Sequence, residues 1–122
     1  MRFCWASINV KNISESVRFY QEIIGLDIIR KINPNPEMEI TFLGSGETQI
    51  ELIWNAKNRE TNYGKDISLG FEVESVDKMM LFLKEKRVTI HSGPFQPNPA
   101  IKFIYIQDPD GLKIQFVENI KH

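Results

Sequence analysis

The chain has 122 residues, enough for one domain that buries an apolar core without disulfides or a structural metal. It carries 15 basic and 16 acidic residues, and the net charge of −1 offers no broad basic surface for nucleic acid. The single cysteine, Cys4, cannot pair within the chain, which predicts a reducing, cytoplasmic setting. Apolar runs are only a few residues long, so we expect a soluble protein without a membrane-spanning segment.

The first half of the sequence predicts a strand, a helix and three further strands. Alternating polar and apolar residues over 2–10 indicate the first strand. Asn12 is a candidate N-cap for the helix, and Gly25 would end that helix in a left-handed turn. Three more strands are predicted at 26–32, 37–43 and 48–54.

The same order of elements returns after a polar linker. A strand is predicted at 67–73, followed by a helix that begins near Ser75. The remaining strands are expected at 88–91, 101–107 and 112–117. Three prolines in the segment 93–100 favour a stiff, irregular loop.

The two halves of the sequence align with each other. Residues 10–13 match residues 73–76 at an offset of 63, while 41–46 and 50–52 match 105–110 and 114–116 at an offset of 64. Self-similarity at a long period indicates units that cannot cover their sheet faces alone. We therefore predict one α+β domain of two βαβββ units with curled mixed sheets. The predicted boundaries are about 1–55 for unit one, about 55–66 for the linker and about 67–122 for unit two.

Two segments carry the motifs of a known family. They are SVRFYQEIIGL at 16–26, in the first helix, and DPDG at 108–111, in the last hairpin. In this order and spacing they resemble the vicinal oxygen chelate superfamily of glyoxalases, extradiol dioxygenases and bleomycin-resistance proteins. That resemblance implies a sheet trough in which a metal is held by side chains of the first and fourth strands of both units. The ligand positions of the family fall on Trp5, Glu51, Ser68 and Gln115.

This sequence departs from the ligands that the resemblance implies. Trp5 offers only an N–H donor, and Ser68 and Gln115 offer neutral oxygens. Glu51 is the one strong ligand at these positions, whereas metal sites of this kind use several imidazole or carboxylate groups. We therefore expect no metal cofactor. His91, on the predicted second strand of unit two, lies away from the ligand positions and is not expected to replace them.

A small-molecule pocket is predicted in the trough instead. Because residues two apart on a strand share a face, the pocket is expected to include Trp5, Ser7, Gln49, Glu51, Ser68, Lys113 and Gln115. Glu51 is the candidate catalytic residue, acting as a general base. Its alternative role is a structural hydrogen bond to Gln115 or to a backbone amide. In a second alternative, the indole of Trp5 fills the former metal cavity and leaves no pocket. Phe95 and Tyr105 are interpreted as packing or rim aromatics.

Three functions remain open from the sequence. The favoured one is a metal-free protein that binds a small organic molecule, similar in role to the bleomycin-resistance branch. The alternative is a divalent-metal-dependent enzyme, lactoylglutathione-lyase-like or dioxygenase-like, and the third is an interaction module that binds nothing small. A homodimer is predicted, because open sheet edges and apolar residues such as Phe71 and Phe116 would be covered by a second copy.

Overall fold

The computed structural model describes residues 1–58 and 60–120. Arg59, in the predicted linker, and Lys121 and His122 lie outside the described residues. The chain divides into two compact units, Met1–Asn62 and Tyr63–His122, and each is built from one four-stranded mixed sheet and one helical segment. In the part of the chain that is described, no helix has the length and apolarity to span a membrane.

Unit 1 follows the order that its sequence predicts. Its elements are β1 (Trp5–Asn9), α1 (Ile13–Phe19), a π-helical turn (Tyr20–Ile24), β2 (Ile28–Asn35), β3 (Met38–Leu43) and β4 (Gln49–Asn55). The side chain of Asn12 caps α1 by accepting from the backbone N–H of Glu15 at 3.1 Å, and Gly25 ends the helical segment with φ of 87°. The strand order is β1-β4-β3-β2, with β1 parallel to β4 and the other pairs antiparallel.

Unit 2 repeats this architecture. Its elements are β5 (Ser68–Glu72), α2 (Val76–Glu85), β6 (Ser92–Asn98), β7 (Ile101–Gln107) and β8 (Lys113–Asn119). Ser75 caps α2 by accepting from the backbone N–H of Lys78 at 3.1 Å, at the predicted start of the helix. The order β5-β8-β7-β6, with β5 parallel to β8, is the same as in unit 1, so the predicted pair of βαβββ units is confirmed.

The predictions for the second strand of unit 2 are wrong. Residues 88–91 are not a strand, and the segment 93–100, predicted as a loop, forms most of β6. Proline is tolerated there because β6 is the last strand of its sheet within the described residues, and neither Pro94 nor Pro97 is among its register pairs with β7. Register shifts along β6 also reduce the number of regular pairs with β7.

The helix-covered face of each sheet forms the core. In unit 1, α1 packs on β4, and the buried residues include Ile8, Tyr20 and Leu52. In unit 2, α2 packs on β8 and β7, and Phe116 is 1% exposed within this core. Phe71 pairs with Phe116 and shares its face. Neither residue therefore lies on an open face, so that part of the dimer argument is wrong, and the dimer itself stays a prediction that rests on the sheet edges.

The strand register locates the one-residue difference between the two repeats. Phe42 lies opposite Glu51 in unit 1, and Tyr105 lies opposite Gln115 in unit 2. The offset is thus still 63 at the third strand and becomes 64 at the fourth, so the predicted match of 41–46 with 105–110 is wrong by one residue. The extra residue lies in the hairpin turn, where sequence comparison constrains an alignment least.

The last hairpin is held by Asp108, as its sequence predicts. Its Oδ1 accepts from the backbone N–H groups of Asp110 and Leu112, each at 2.9 Å. Gly111 follows with φ of 91°, in the left-handed region that favours glycine. This turn fixes the register of β7 against β8, and with it the side chains that lie beside Gln115.

Candidate functional site

Each sheet has a second face, opposite to its helix, on which the predicted pocket residues lie. Face 1 is this surface of unit 1. Trp5 pairs with Gln49 and Ser7 pairs with Glu51 in the parallel β1–β4 ladder, so the four predicted residues of unit 1 lie together on face 1. The antiparallel ladder adds Phe42, opposite Glu51, as a central member of face 1.

Phe42 is closed off by two neighbouring side chains. The ring of Trp5 meets it edge-on, with centroids 5.2 Å apart, and the guanidinium carbon of Arg30 lies 4.3 Å from its ring centroid. Phe42 is only 2% exposed as a result, although it lies on the face without a helix. Arg30 and Phe42 are not among the residues that the sequence predicts for the site, and the large aromatic at the centre of β3 is the signal that could have indicated them.

The carboxylate of Glu51 has a side-chain partner within unit 1. The hydroxyl of Ser7 donates to its Oε1 at 2.5 Å. Both residues belong to the predicted pocket, and the bond joins the first and fourth strands of the unit. Glu51 therefore makes a structural hydrogen bond within unit 1, with the hydroxyl of Ser7 as its partner.

Face 2 is the corresponding surface of unit 2. Ser68 pairs with Lys113, and Gly70 pairs with Gln115, so the three predicted pocket residues of this unit share the face. Tyr105 lies opposite Gln115 on β7, as Phe42 lies opposite Glu51 in unit 1. Face 2 thus repeats face 1 position by position, with different side chains.

Three aromatic side chains form a cluster on face 2. Phe95 and Phe103 have ring centroids 5.5 Å apart, and Tyr105 lies 5.8 Å from Phe103 and 6.4 Å from Phe95. Phe95 remains 43% exposed. A cavity of about 440 Å³ is lined by Phe95, Gln96, Pro97 and Phe103. This volume falls within the range of about 300–1,000 Å³ that is typical of small-molecule sites.

Polar groups border this aromatic cluster. The side-chain amide of Gln115 donates to the hydroxyl of Tyr105 at 3.3 Å, and the ammonium of Lys113 lies 5.6 Å from the centroid of the Tyr105 ring. Gly70 allows the side chain of Gln115 to lie close to β5, since a Cβ there would lie only 3.3 Å from its Oε1. Apolar rings with a few convergent polar groups are the usual composition of a ligand site.

Only part of the aromatic cluster could be predicted from the sequence. Phe103 and Tyr105 are two residues apart on a strand whose bounds were predicted correctly, so their common face was available as a signal. The sequence predicts Phe95 in a proline-rich loop, whereas in the structure β6 places it opposite Phe103. His91, in contrast, is exposed and precedes β6, with its Nδ1 3.3 Å from the hydroxyl of Ser92.

The donor set does not fit a divalent metal. Of the four family positions, only Glu51 carries a charge, and that carboxylate is already bonded by Ser7. Trp5 packs on Phe42, and the amide of Gln115 donates to Tyr105. Over residues 1–58 and 60–120, no group of three or more His, Cys, Asp or Glu side chains is placed to hold a metal ion. One anionic oxygen with no imidazole is too few ligands for a zinc-type site, however the two units are arranged.

Comparison with known proteins identifies the relatives of this chain. The family model of the glyoxalase/bleomycin resistance protein/dioxygenase superfamily matches residues 2–116. The lactoylglutathione lyase of Haemophilus influenzae is 30% identical over 129 aligned positions that cover 98% of this chain and 93% of the relative. The lactoylglutathione lyase of Neisseria meningitidis is 25% identical and covers 97% of this chain and 91% of the relative.

Solved structures share the fold at lower sequence identity. The trypanothione-dependent glyoxalase I of Leishmania major superposes with a TM-score of 0.82 at 23% identity, covering 97% of this chain and 86% of that one. TnmS3, described as an antibiotic binding protein from Streptomyces sp. CB03234, gives a TM-score of 0.78 at 20% identity, covering 98% and 97%. At these identities the likeness establishes the fold alone.

Proposed function

Because the chain belongs to the glyoxalase/bleomycin resistance protein/dioxygenase superfamily, we propose that it uses the helix-free faces of its sheets to bind a small organic molecule without a catalytic metal. The observation that carries this proposal is the set of contacts made by the side chains at the family's metal-ligand positions. Glu51, the one anionic group among them, is held by Ser7 at 2.5 Å, and Trp5 packs against Phe42. These side chains are engaged in contacts within their own unit.

The binding part of the proposal is supported by face 2. Its cavity of about 440 Å³ is lined by two rings of the aromatic cluster, and an amide and an ammonium group lie beside the third ring, Tyr105. This combination is suited to an organic ligand. A large exposed aromatic such as Phe95 loses unfavourable contact with water when a ligand covers it. The existence of an antibiotic binding protein with this fold is compatible with such a role.

A second candidate function is supported by the relatives. Proteins named lactoylglutathione lyase match nearly the whole chain at 25–30% identity. If this chain has such an activity, or that of a dioxygenase, Glu51 is the candidate general base and a divalent metal is required as cofactor. The donor set argues against this candidate, because the positions of Trp5 and Ser68 provide no imidazole or carboxylate.

Metal content and turnover separate the two candidates. We expect purified protein to contain well under one equivalent of transition metal by elemental analysis and to bind Ni²⁺, Zn²⁺ or Mn²⁺ no better than its Glu51→Gln variant. We also expect no conversion of the methylglyoxal–glutathione hemithioacetal, with the Haemophilus influenzae lyase as the positive control. A stoichiometric ion that Glu51→Ala removes, together with turnover, would contradict the proposal and favour the lyase.

A further inference from the structure

We infer that the ligand of face 2 is a planar aromatic carboxylate. This inference rests on the proposed binding function and names the ligand class for it. It is carried by three features of unit 2 alone: an open aromatic cluster, a cation beside that cluster, and the absence of a covering side chain on β5. Each feature selects one property of the ligand.

The aromatic cluster selects a flat, apolar ring system. Phe95, Phe103 and Tyr105 lie on neighbouring strands with centroid separations of 5.5–6.4 Å, and the rings meet at angles of 41–85°. Tilted and edge-on rings of this kind leave ring edges and faces on which a further planar ring can pack. Since Phe95 is 43% exposed, an added ring would bury apolar surface that the protein itself leaves open to water.

The ammonium group of Lys113 favours a ligand with a negative charge. Its ammonium lies 5.6 Å from the Tyr105 ring, and among the described residues it has no carboxylate partner. Its neighbours in the ladders, Ser68 and Gln107, are uncharged. The hydroxyl of Tyr105 accepts from Gln115, so its own proton is available to a ligand. An ammonium and a hydroxyl at one end of an aromatic cluster are suitable donors for a carboxylate.

The small residues of β5 leave room for the ligand. Ser68 and Gly70 occupy the positions that Trp5 and Ser7 occupy in unit 1, at the common offset of 63. In unit 1 the indole covers the central aromatic, Phe42. On face 2 the equivalent aromatic, Tyr105, is half-buried and has no such cover from Ser68. Ser68 and Gly70 are both exposed, so an aromatic ligand can reach the β5 side of Tyr105, where the indole lies in unit 1.

The inference can be tested with four probes of related shape. We would titrate the full chain with 2-naphthoate, 2-naphthamide, 2-naphthylmethylammonium and cyclohexanecarboxylate, and follow binding by calorimetry and by amide shifts in NMR spectra. We expect 2-naphthoate to bind about fivefold more tightly than the neutral amide, with an affinity that falls as salt is added. The ammonium and the non-aromatic acid should bind more weakly still.

Variants of face 2 identify the groups responsible. Lys113→Gln should reduce the affinity for 2-naphthoate about fivefold and leave the affinity for 2-naphthamide unchanged. The reason is that the substitution removes only the attraction between the ammonium group and the carboxylate of the ligand. Gly70→Val, which narrows the site beside Gln115, should weaken both probes. Lys84→Gln, on the exposed surface of α2, is the matched control and should change neither.

The outcomes distinguish this inference from the proposed function. Equal or tighter binding of the amide or the ammonium probe would overturn the carboxylate assignment, while a metal-free binding protein would remain. Binding of no aromatic probe, or binding of 2-naphthoate that Lys113→Gln does not affect, would also overturn it. Stoichiometric metal with hemithioacetal turnover is the separate result that removes the proposed function.

Discussion

Faces 1 and 2 are built on the same strand order and register, yet one is closed by its own side chains and the other is open. On face 1 the central aromatic is covered and the fourth-strand carboxylate is bonded within the unit. On face 2 the neighbouring rings of Phe95 and Phe103 line a cavity, and the fourth-strand amide bonds to the central aromatic. The equivalent pairs are Trp5 and Ser68, Ser7 and Gly70, Phe42 and Tyr105, and Glu51 and Gln115.

The difference is set mainly by the first strand of each unit. A large residue at the first position of β1 closes face 1, and two small residues on β5 leave face 2 open. The surrounding strands need not move for this change, because alternate residues of a strand project from the same face whatever their size. A repeated fold can thus close one of its sheet faces and leave the other exposed through two positions.

The largest expected effect tests this division at the central aromatic. Phe42→Ala should lower the free energy of unfolding by about 3 kcal/mol, because it removes a ring that is 2% exposed and packed on both sides. Tyr105→Ala should cost less stability, since the residue is only half-buried, but should abolish measurable 2-naphthoate binding. Urea unfolding and calorimetry measure the two effects.

Conservative replacements are the controls for this pair. Phe42→Leu keeps most of the apolar volume and should cost no more than about 1.5 kcal/mol. Tyr105→Phe keeps the ring and removes the hydroxyl that bonds Gln115, so it should weaken binding without changing stability greatly. Equal losses of stability from the two alanine variants would show that face 2 is as closed as face 1.

The next effect comes from exchanging the first-strand residues. Ser68→Trp should place an indole beside Tyr105, as Trp5 lies beside Phe42, and should weaken 2-naphthoate binding at least tenfold, a loss of about 1.4 kcal/mol in binding free energy. Ser68→Thr, which adds one methyl group, is the control and should bind nearly as the parent does. If the Ser68→Trp variant binds 2-naphthoate with the affinity of the parent, the site does not extend over β5.

Much of this arrangement could be predicted from the sequence. The helix caps at Asn12 and Ser75 and the turn at Asp108 are local signals, and the structure confirms each of them. The pairing of the halves followed from self-similarity, because the two units share one architecture. Strand alternation then placed the residues around Glu51 and Gln115 on common faces before any register was known.

The rest depended on pairing between strands, which one sequence does not encode locally. Phe95 belongs to the site because β6 forms at the edge of its sheet despite its prolines, which the local sequence does not predict. The bond from Ser7 to Glu51 requires the β1–β4 register, since the two residues are 44 positions apart in the chain. Phe116 was assigned to an open face, and its position under α2 depends on which face the helix covers.

The smallest expected effect concerns that bond between Ser7 and Glu51. Both residues contact solvent, so when Ser7→Ala removes the hydroxyl, water can replace it at the carboxylate and no buried group is left unsatisfied. We therefore expect a loss of only about 0.5–1 kcal/mol in the free energy of unfolding. A double-mutant cycle with Glu51→Gln should give a coupling energy of similar size, since the two side chains act on each other directly. Ser14→Ala, at an exposed serine of α1, is the control and should fall within about 0.5 kcal/mol of the parent. A coupling of zero would mean that the bond does not hold Glu51 in solution, which would leave this carboxylate free for another partner and favour the metal-dependent alternative.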